Sequence, residues 1–395
     1  MNIENGVIKI FVTADNHLGF KDQDPIRKED SYRGFHSALS IAQQEKADIV
    51  LILGDLFHLK NPSHSCIIKC IDIMKRKLGT CVDINDKLDL NYPEKVQLEP
   101  NSIPSFIIHG NHDMPNTLDN KGTIDLLDLT NCTNYIGYYQ NKFSIHIEPV
   151  VVEKGDIKLA IYGMGFIDDF LFNAHLFHNT LTFKNTEHVD FRILMIHQNR
   201  CRCGKKNGCT YKKRVCPSNL PNNIFDLILW GNEHETYRDI EIDKASGLRI
   251  YQPGSTVQTS LAKSETHRKG VGILRFTKTD FKLNVFDIGF QRRLIYESFE
   301  YDTLIKILEK IHNDKMKEEY TDNGLISQDT KMRLKYFDES TLVEQTVNYF
   351  INKFSLGNTD GELPLFRARI FTNGQTKFDE DDLQYALSKY VANPE

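Results

Sequence analysis

Five short stretches carry side chains from which a cation site could be assembled: Asp15-Asn16-His17, Gly54-Asp55, Gly110-Asn111-His112-Asp113, His197, and Gly231-Asn232-Glu233-His234. They offer carboxylate oxygen, amide oxygen and imidazole nitrogen, a mixture that suits hard or borderline divalent ions. A carboxylate has lone pairs on two oxygens and can bridge a pair of ions, and Asp55 is placed for that role. Any one of these pieces occurs by chance in many chains, and a lone histidine after a strand is more often structural. Five in order, each closing an apolar run, point to one metal centre. One position breaks the pattern. Where two histidines two residues apart would chelate, Asn232 stands in front of Glu233 and His234. An asparagine carbonyl is shorter than an imidazole and a weaker donor, so a second cation is expected to be held more weakly.

Such a centre requires elements that bring distant residues together. Up to about residue 290 the chain repeats a strand-then-helix rhythm: "IKIFVTAD" before "SYRGFHSALSIAQQEKA", "DIVLILGD" before "SHSCIIKCIDIMKRKL", and "IPSFIIHGNHD" before "GTIDLLDLT". Short Ile/Val/Phe-rich runs between amphipathic stretches read as buried parallel strands of a layered α/β domain. The later runs "KLAIYGMG", "FRILMIHQN", "DLILWGN" and "LRIYQPGS" have less helix between them and suggest a second sheet packed on the first. Open α/β sheets gather ligands at the carboxyl ends of their strands, where all five stretches fall. From 291 the texture changes to a charged helical segment, a second helix, the strand "LPLFRARIF" and a final helix, which reads as a small α+β domain. The expected division is 1–290 and 291–395. Residues 78–103 and 200–222 look like inserted, functional loops.

Composition sets limits. A chain of 395 residues with 40% apolar content can bury a sizeable core, and a net charge of −5 does not by itself advertise a polyanion partner. No apolar run reaches a membrane-spanning length and the first residues show no targeting pattern, so an intracellular protein is expected. Eight cysteines without a secretion signal read as reduced thiols or metal ligands.

The order DxH, GD, GNHD, H, GxxH resembles the calcineurin-like metallophosphoesterase superfamily. The stretches "TADNHLGF", "GDLFHLKNPS", "IHGNHDMP", "IHQNR", "WGNEHE", "QPGSTVQTSL" and "LPLFRARIF...YVANP" further resemble the nuclease subunit of the eukaryotic DNA double-strand-break repair complex, the meiotic recombination nuclease. That resemblance implies a two-sheet sandwich flanked by helices, a capping domain over 291–395 that shapes access for DNA ends, and a two-manganese centre. It implies that Asp15, His17, bridging Asp55 and His234 hold the first ion, and that Asp55, Asn111, His197 and position 232 hold the second. The family usually has histidine at that last position. His112 would serve the leaving sugar oxygen or the transition state as a catalytic residue, with Asp113 orienting it. The implied activity is 3′-to-5′ exonuclease and endonuclease cleavage in the nucleus. The implied partners are DNA, a second copy of the chain through the helices at 62–77 and 122–131, a nibrin-like subunit at 78–103, and a coiled-coil ABC-type ATPase bound beyond "YVANPE". The chain is thus expected to be a catalytic-core fragment, weakened by Asn232. A protein phosphatase of the same superfamily and a non-catalytic DNA-binding scaffold are the alternatives.

Outside these motifs, Cys201, Cys203, Cys209 and Cys216 lie among seven Lys or Arg from Arg200 to Arg214. Four thiolates in a short loop could hold a structural zinc, although the spacing is not the common CxxC pair. Arg200, Lys205, Lys206, Lys212, Lys213 and Arg214 could contact a phosphate backbone. His36, His58, His64 and His146 have no motif support and read as structural.

Overall fold

The computed structural model describes residues 6–79, 89–91, 102–139, 143–202, 214–221, 223–323, 339–357, 361–372 and 379–393. The chain divides into two compact units. One comprises Met1–Thr259 with His267–Gln291, the other Ser260–Thr266 with Arg292–Glu395.

The first unit holds a six-stranded sheet ordered Phe281–Asp287, Gly270–Phe276, Ile8–Thr13, Ile49–Leu53, Ser105–Ile108 and Asn134–Tyr135. A seven-stranded sheet runs Glu241–Ile242, Arg249–Tyr251, Leu227–Gly231, Phe191–His197, Ile157–Met164, Val150–Lys154 and Asp89–Asn91. The Ile49–Leu53 strand shows why these segments read as unbroken apolar runs. Ile49, Leu51 and Leu53 enter a cluster shared with Leu159, Ile161, Ile193, Met195, Leu227 and Leu229 of the other sheet. Val50 and Ile52 point the opposite way, onto Phe35, Ala38, Leu39 and Ala42 of the Asp30–Gln44 helix and Cys66, Cys70 and Met74 of the His64–Leu78 helix. The spacing of those four residues from Phe35 puts them on one helical stripe, and strands covered on both faces have no polar side to present. Tyr162, Leu194, Ile196, Ile228 and Trp230 form the outer face of the second sheet, with Phe172 of the Asp169–His178 helix against them. The result is an α/β two-sheet sandwich flanked by helices.

Registers align the strand ends. Thr13 lies opposite Ile52 and Leu53 opposite Ile108 in one sheet, while Met164 lies opposite Ile196 and His197 opposite Gly231 in the other. The chain therefore leaves the central parallel strands of each sheet at a common edge.

The second unit pairs Leu294–Glu300 with Leu365–Phe371 in parallel. The helices Tyr301–Asn323, Glu339–Phe354 and Glu380–Leu387 pack with this pair around Leu304, Leu308, Leu342, Phe350, Phe366 and Leu383. Two readings are corrected here. The segment from Leu294 opens with a strand rather than a helix, because Ile295 and Phe299 alternate onto that core. Within 78–103, Asp89–Asn91 is an edge strand antiparallel to Val150–Lys154; most of that segment lies outside the described residues.

Candidate metal centre

The strand-end loops are backbone-strained where they meet. Asp15 (φ 50°), His17 (φ 46°), Asp55 (φ 49°) and Asn232 (φ 75°) all occupy the left-handed region. Asp, Asn and His tolerate it better than other side chains, but each instance costs stability and needs surrounding structure to hold it. Backbone bonds supply part of that hold: Asp15 N–H donates to the Gly54 carbonyl at 3.1 Å and His17 N–H to the Asp55 carbonyl at 2.9 Å. Gly110 is required by close approach, since a Cβ there would lie 2.0 Å from Asp55 Oδ1.

Asp113 ties two of these loops together. Its Oδ1 accepts from Gly110 N–H at 2.7 Å, and its Oδ2 from Leu56 N–H at 2.7 Å and Phe57 N–H at 3.2 Å. It does not orient His112. That imidazole donates from Nδ1 to the His58 carbonyl at 2.7 Å, and its backbone N–H donates to Asp55 Oδ1 at 2.8 Å.

The other histidines are fixed in the same manner. His197 donates from Nδ1 to the Leu53 carbonyl at 2.6 Å, which sets Nε2 facing Asn111 Oδ1 at 3.3 Å and Asp55 Oδ2 at 3.4 Å. His234 has its Nδ1 3.0 Å from the Thr259 hydroxyl and its Nε2 3.2 Å from His17 Nε2. Outer partners that fix one ring nitrogen and free the other are the usual support of metal-binding imidazoles. Asp55 Oδ2 lies 3.8 Å from His17 Nε2 as well as close to His197 Nε2, so it stands between the two imidazoles. Asp15 Oδ1 is buried without a hydrogen-bond partner among the described residues, 3.7 Å from His234 Nε2. An orphaned carboxylate oxygen among inward-facing ring nitrogens is costly unless a cation meets it, so the residues present fit divalent ions.

Three triads have ligand atoms within 4.8 Å of one another: Asp15, His17 and His234; Asp15, Asp55 and His197; His17, His58 and His112. Electrostatics follow this crowding. Burial pushes the Asp15 carboxyl up to about 6 against the pull of His197 and His234, and burial with the nearby Asp55 pushes Asp113 up to about 7. Burial alone would lower His197, but Asp55, Asp15 and the Leu53 carbonyl raise it to about 9. Burial opposes ionisation of Asp55 too, and His197 and His17 outweigh it and hold that carboxyl below its ordinary range. His17 is held well below the ordinary histidine value, first by burial and then by its histidine neighbours.

The five sequence stretches thus converge. Asp15, His17, Asp55, Asn111, His112, His197 and His234 share one crevice. Asn232 joins them through its backbone, donating to Asp15 Oδ2 at 3.0 Å. Sequence reasoning missed His58, whose ring stacks on His112 at 5.0 Å and meets His17 edge-on at 5.4 Å. Its signal was its place three residues after Asp55, on the loop that the metal motif itself defines.

The basic loop is different. Arg200 is 2% exposed, paired with Glu241 at 2.9 Å and set 5.6 Å from the Trp230 ring centre, so it is a packing residue and not a phosphate contact. Arg214 is exposed. Cys201 is buried and disulfide-bonded, and Cys216 is buried. Cys203, Cys209, Lys205, Lys206, Lys212 and Lys213 lie outside the described residues.

Residues 8–236 match the family model of the calcineurin-like phosphoesterases, and the chain is a phosphoesterase of that class. The double-strand break repair protein MRE11 of Encephalitozoon cuniculi is 31% identical over 98% of this chain and 67% of its own length. MRE11 of Arabidopsis thaliana is 28% identical over 98% of this chain and 53% of its own length, and that of Homo sapiens 30% identical over 74% and 43%. Within the phosphoesterases, the chain belongs to the MRE11 double-strand break repair family. It spans between 43% and 67% of the length of these three relatives.

Proposed function

We propose that this crevice is a two-cation phosphodiesterase centre that cleaves DNA during double-strand break repair, by 3′-to-5′ exonuclease and endonuclease action with manganese. The observation that carries the reading is the place of Asp55 Oδ2 between His17 Nε2 and His197 Nε2, beside the orphaned Asp15 Oδ1. Asp15, His17, Asp55 and His234 would hold one ion, and Asp55, Asn111 and His197 the other. When bound, such a pair supplies an activated water and neutralises charge on the phosphate. The chain's own residues do the rest. The His58 carbonyl accepts from His112 Nδ1 and orients the ring, and His112 Nε2, when protonated, would donate to the departing sugar oxygen. Asp113 holds the loops that carry Asp55 and His112 in register. Family membership supports DNA as the substrate over a phosphoprotein and supports a nuclear location. Among the described residues no helix is long and apolar enough to cross a membrane.

Exposed Ile68, Leu126 and Leu129 on the helices His64–Leu78 and Thr123–Leu129 support a homodimer. A nibrin-like subunit and a coiled-coil ABC-type ATPase are proposed from the family resemblance alone. Asn232 favours a second reading, a DNA-binding scaffold with little cleavage. The test is nicking of plasmid and hairpin DNA with manganese by the chain and by its Asn232→His variant, beside a phosphopeptide control. Cleavage restored by the variant, with the phosphopeptide untouched, is expected. Phosphopeptide hydrolysis would overturn the substrate reading, and no DNA cleavage by either protein would leave the scaffold.

A further inference from the structure

The loop that carries His234 leaves the seven-stranded sheet with a strained backbone at Asn232, φ 75°, and a residue in that region persists only where its surroundings over-determine it. Side chains supply part of that hold. The Glu235 carbonyl accepts from Gln252 Nε2 at 2.8 Å, and the His234 carbonyl accepts from Lys269 Nζ at 2.9 Å and from Ser255 N–H at 3.1 Å. Lys269 is 1% exposed and comes from the other sheet, immediately before the strand Gly270–Phe276. Gly270 N–H donates to Thr236 Oγ1 at 3.2 Å, so residues 269 and 270 grip both ends of the span from His234 to Thr236.

The Lys269 ammonium also donates to Ser255 Oγ at 2.7 Å, and that hydroxyl gives its own proton to the Val257 carbonyl at 2.9 Å. Ser255 therefore accepts from the lysine. A charged donor makes shorter and stronger hydrogen bonds than a neutral one. Ser255 in turn lies against the loop of Asp15 and His17. It pairs with Ala14, while Thr256 N–H donates to the Asp15 carbonyl at 3.4 Å and Asn16 Nδ2 donates to Thr256 Oγ1 at 3.2 Å. Gly254 permits the close approach, since a Cβ there would lie 2.8 Å from the His234 carbonyl oxygen and 2.6 Å from the Thr236 nitrogen.

Lys269 thus sits where the loops of Asp15, His17 and His234 meet on their backbone side. His197, in the other half of the crevice, is set by the Leu53 carbonyl instead. We infer that Lys269 is a positioning residue for the cation held by Asp15, His17 and His234, acting through the His234 carbonyl and Ser255 and not on the ion itself. This inference rests on the two-cation reading of the crevice. Methionine in its place would fill similar space without the charge or the donors.

The test is calorimetric manganese titration of the full chain and of Lys269→Met, with melting temperatures in EDTA as the measure of fold. Loss of the ammonium is expected to weaken the tighter binding step by about 10–100-fold, the range for groups that orient metal ligands, and to leave the weaker step unchanged. A merely structural lysine would lower the melting temperature and weaken both steps alike. Ser255→Ala keeps the ammonium and removes one of its acceptors, and should weaken the same step by about tenfold, the low end of that range. An unchanged tighter step in a folded Lys269→Met chain, or equal weakening of both steps, would overturn the role. If Lys269→Met does not fold, Ser255→Ala decides alone, and an unchanged tighter step there counts against the role. A parent chain that binds only one ion would instead count against the two-cation reading, and the role of the lysine then stands or falls on that single step.

Discussion

The two halves of the metal crevice are built to different standards. On one side Asp15, His17 and His234 form a complete triad of inward-facing donors, and the Thr259 hydroxyl steadies the outermost histidine. On the other, Asp55, Asn111 and His197 are locked more firmly, since the Leu53 backbone carbonyl sets His197, yet position 232 offers an amide where an imidazole would be expected. Rigid support and full coordination are therefore separable. A site can keep its scaffold while one ligand weakens, because backbone bonds and glycine contacts do the positioning and the side chain at 232 takes no part in them.

The largest effect should come from the residue that joins the halves. Asp55→Asn removes charge between His17 and His197 and turns an acceptor of the His112 N–H into a group that is partly a donor. Loss of outer partners alone costs about 10–100-fold in such sites, so losing the shared carboxylate should lower DNA cleavage by more than about 100-fold. Cleavage within tenfold of the parent chain would mean that the halves work independently. Next in size is Asn232→His, which should tighten the second cation by about 10–100-fold on the same scale, read by calorimetric manganese titration. A tightening confined to the first of two binding steps would place position 232 on the wrong half.

The stretches that carry these residues were legible because catalysis and folding both punctuate strand ends. An unbroken apolar run such as Ile49–Leu53 followed by glycine and a charged residue marks a buried strand and its functional loop at once. What the sequence concealed was directional. Asp113 sits beside His112 in the chain but turns its carboxylate toward three backbone amides, and His58 reaches the crevice by way of a loop whose fold depends on Asp113. Arg200 sits in a run of cations, and burial against Trp230 and Glu241 is a property of the fold that charge counting cannot reveal. Leu294–Glu300 looked helical by its charge, because a parallel partner some seventy residues later is what gives its alternation meaning.

Charge also separates the halves in pH. Without cations, His197 keeps its proton up to about 9 against an ordinary 6.5. The folded chain then binds more protons than the unfolded one across that interval, so stability present below pH 6.5 is lost as pH rises through 9. Asp113, raised to about 7, acts in the same sense over the lower part of that window. Below 6.5, the buried His17 and His109 and the half-buried His58, all shifted down, act in the opposite sense. The melting temperature of the EDTA-treated chain should accordingly fall by a few degrees between pH 6.5 and 9, and His197→Gln should flatten the decline. Cation binding requires the Nε2 lone pair, so the stabilisation gained from added manganese should grow over the same interval. A rising melting temperature in EDTA would place the proton elsewhere.

The smallest effect concerns how each half is steadied. His197 leans on a carbonyl that no substitution can remove, whereas His234 leans on Thr259, whose hydroxyl can be deleted with little change in shape. Thr259→Val should free the His234 ring to turn and cost about tenfold in cation affinity or cleavage, the lower end of what outer partners contribute. The loss should fall on the half that contains Asp15, His17 and His234, so a chain that already carries Asn232→His should show the same proportional drop. A drop that vanishes in the Asn232→His background would mean that the two cations bind as one cooperative unit, with position 232 compensating for a loosened His234 across the shared Asp55.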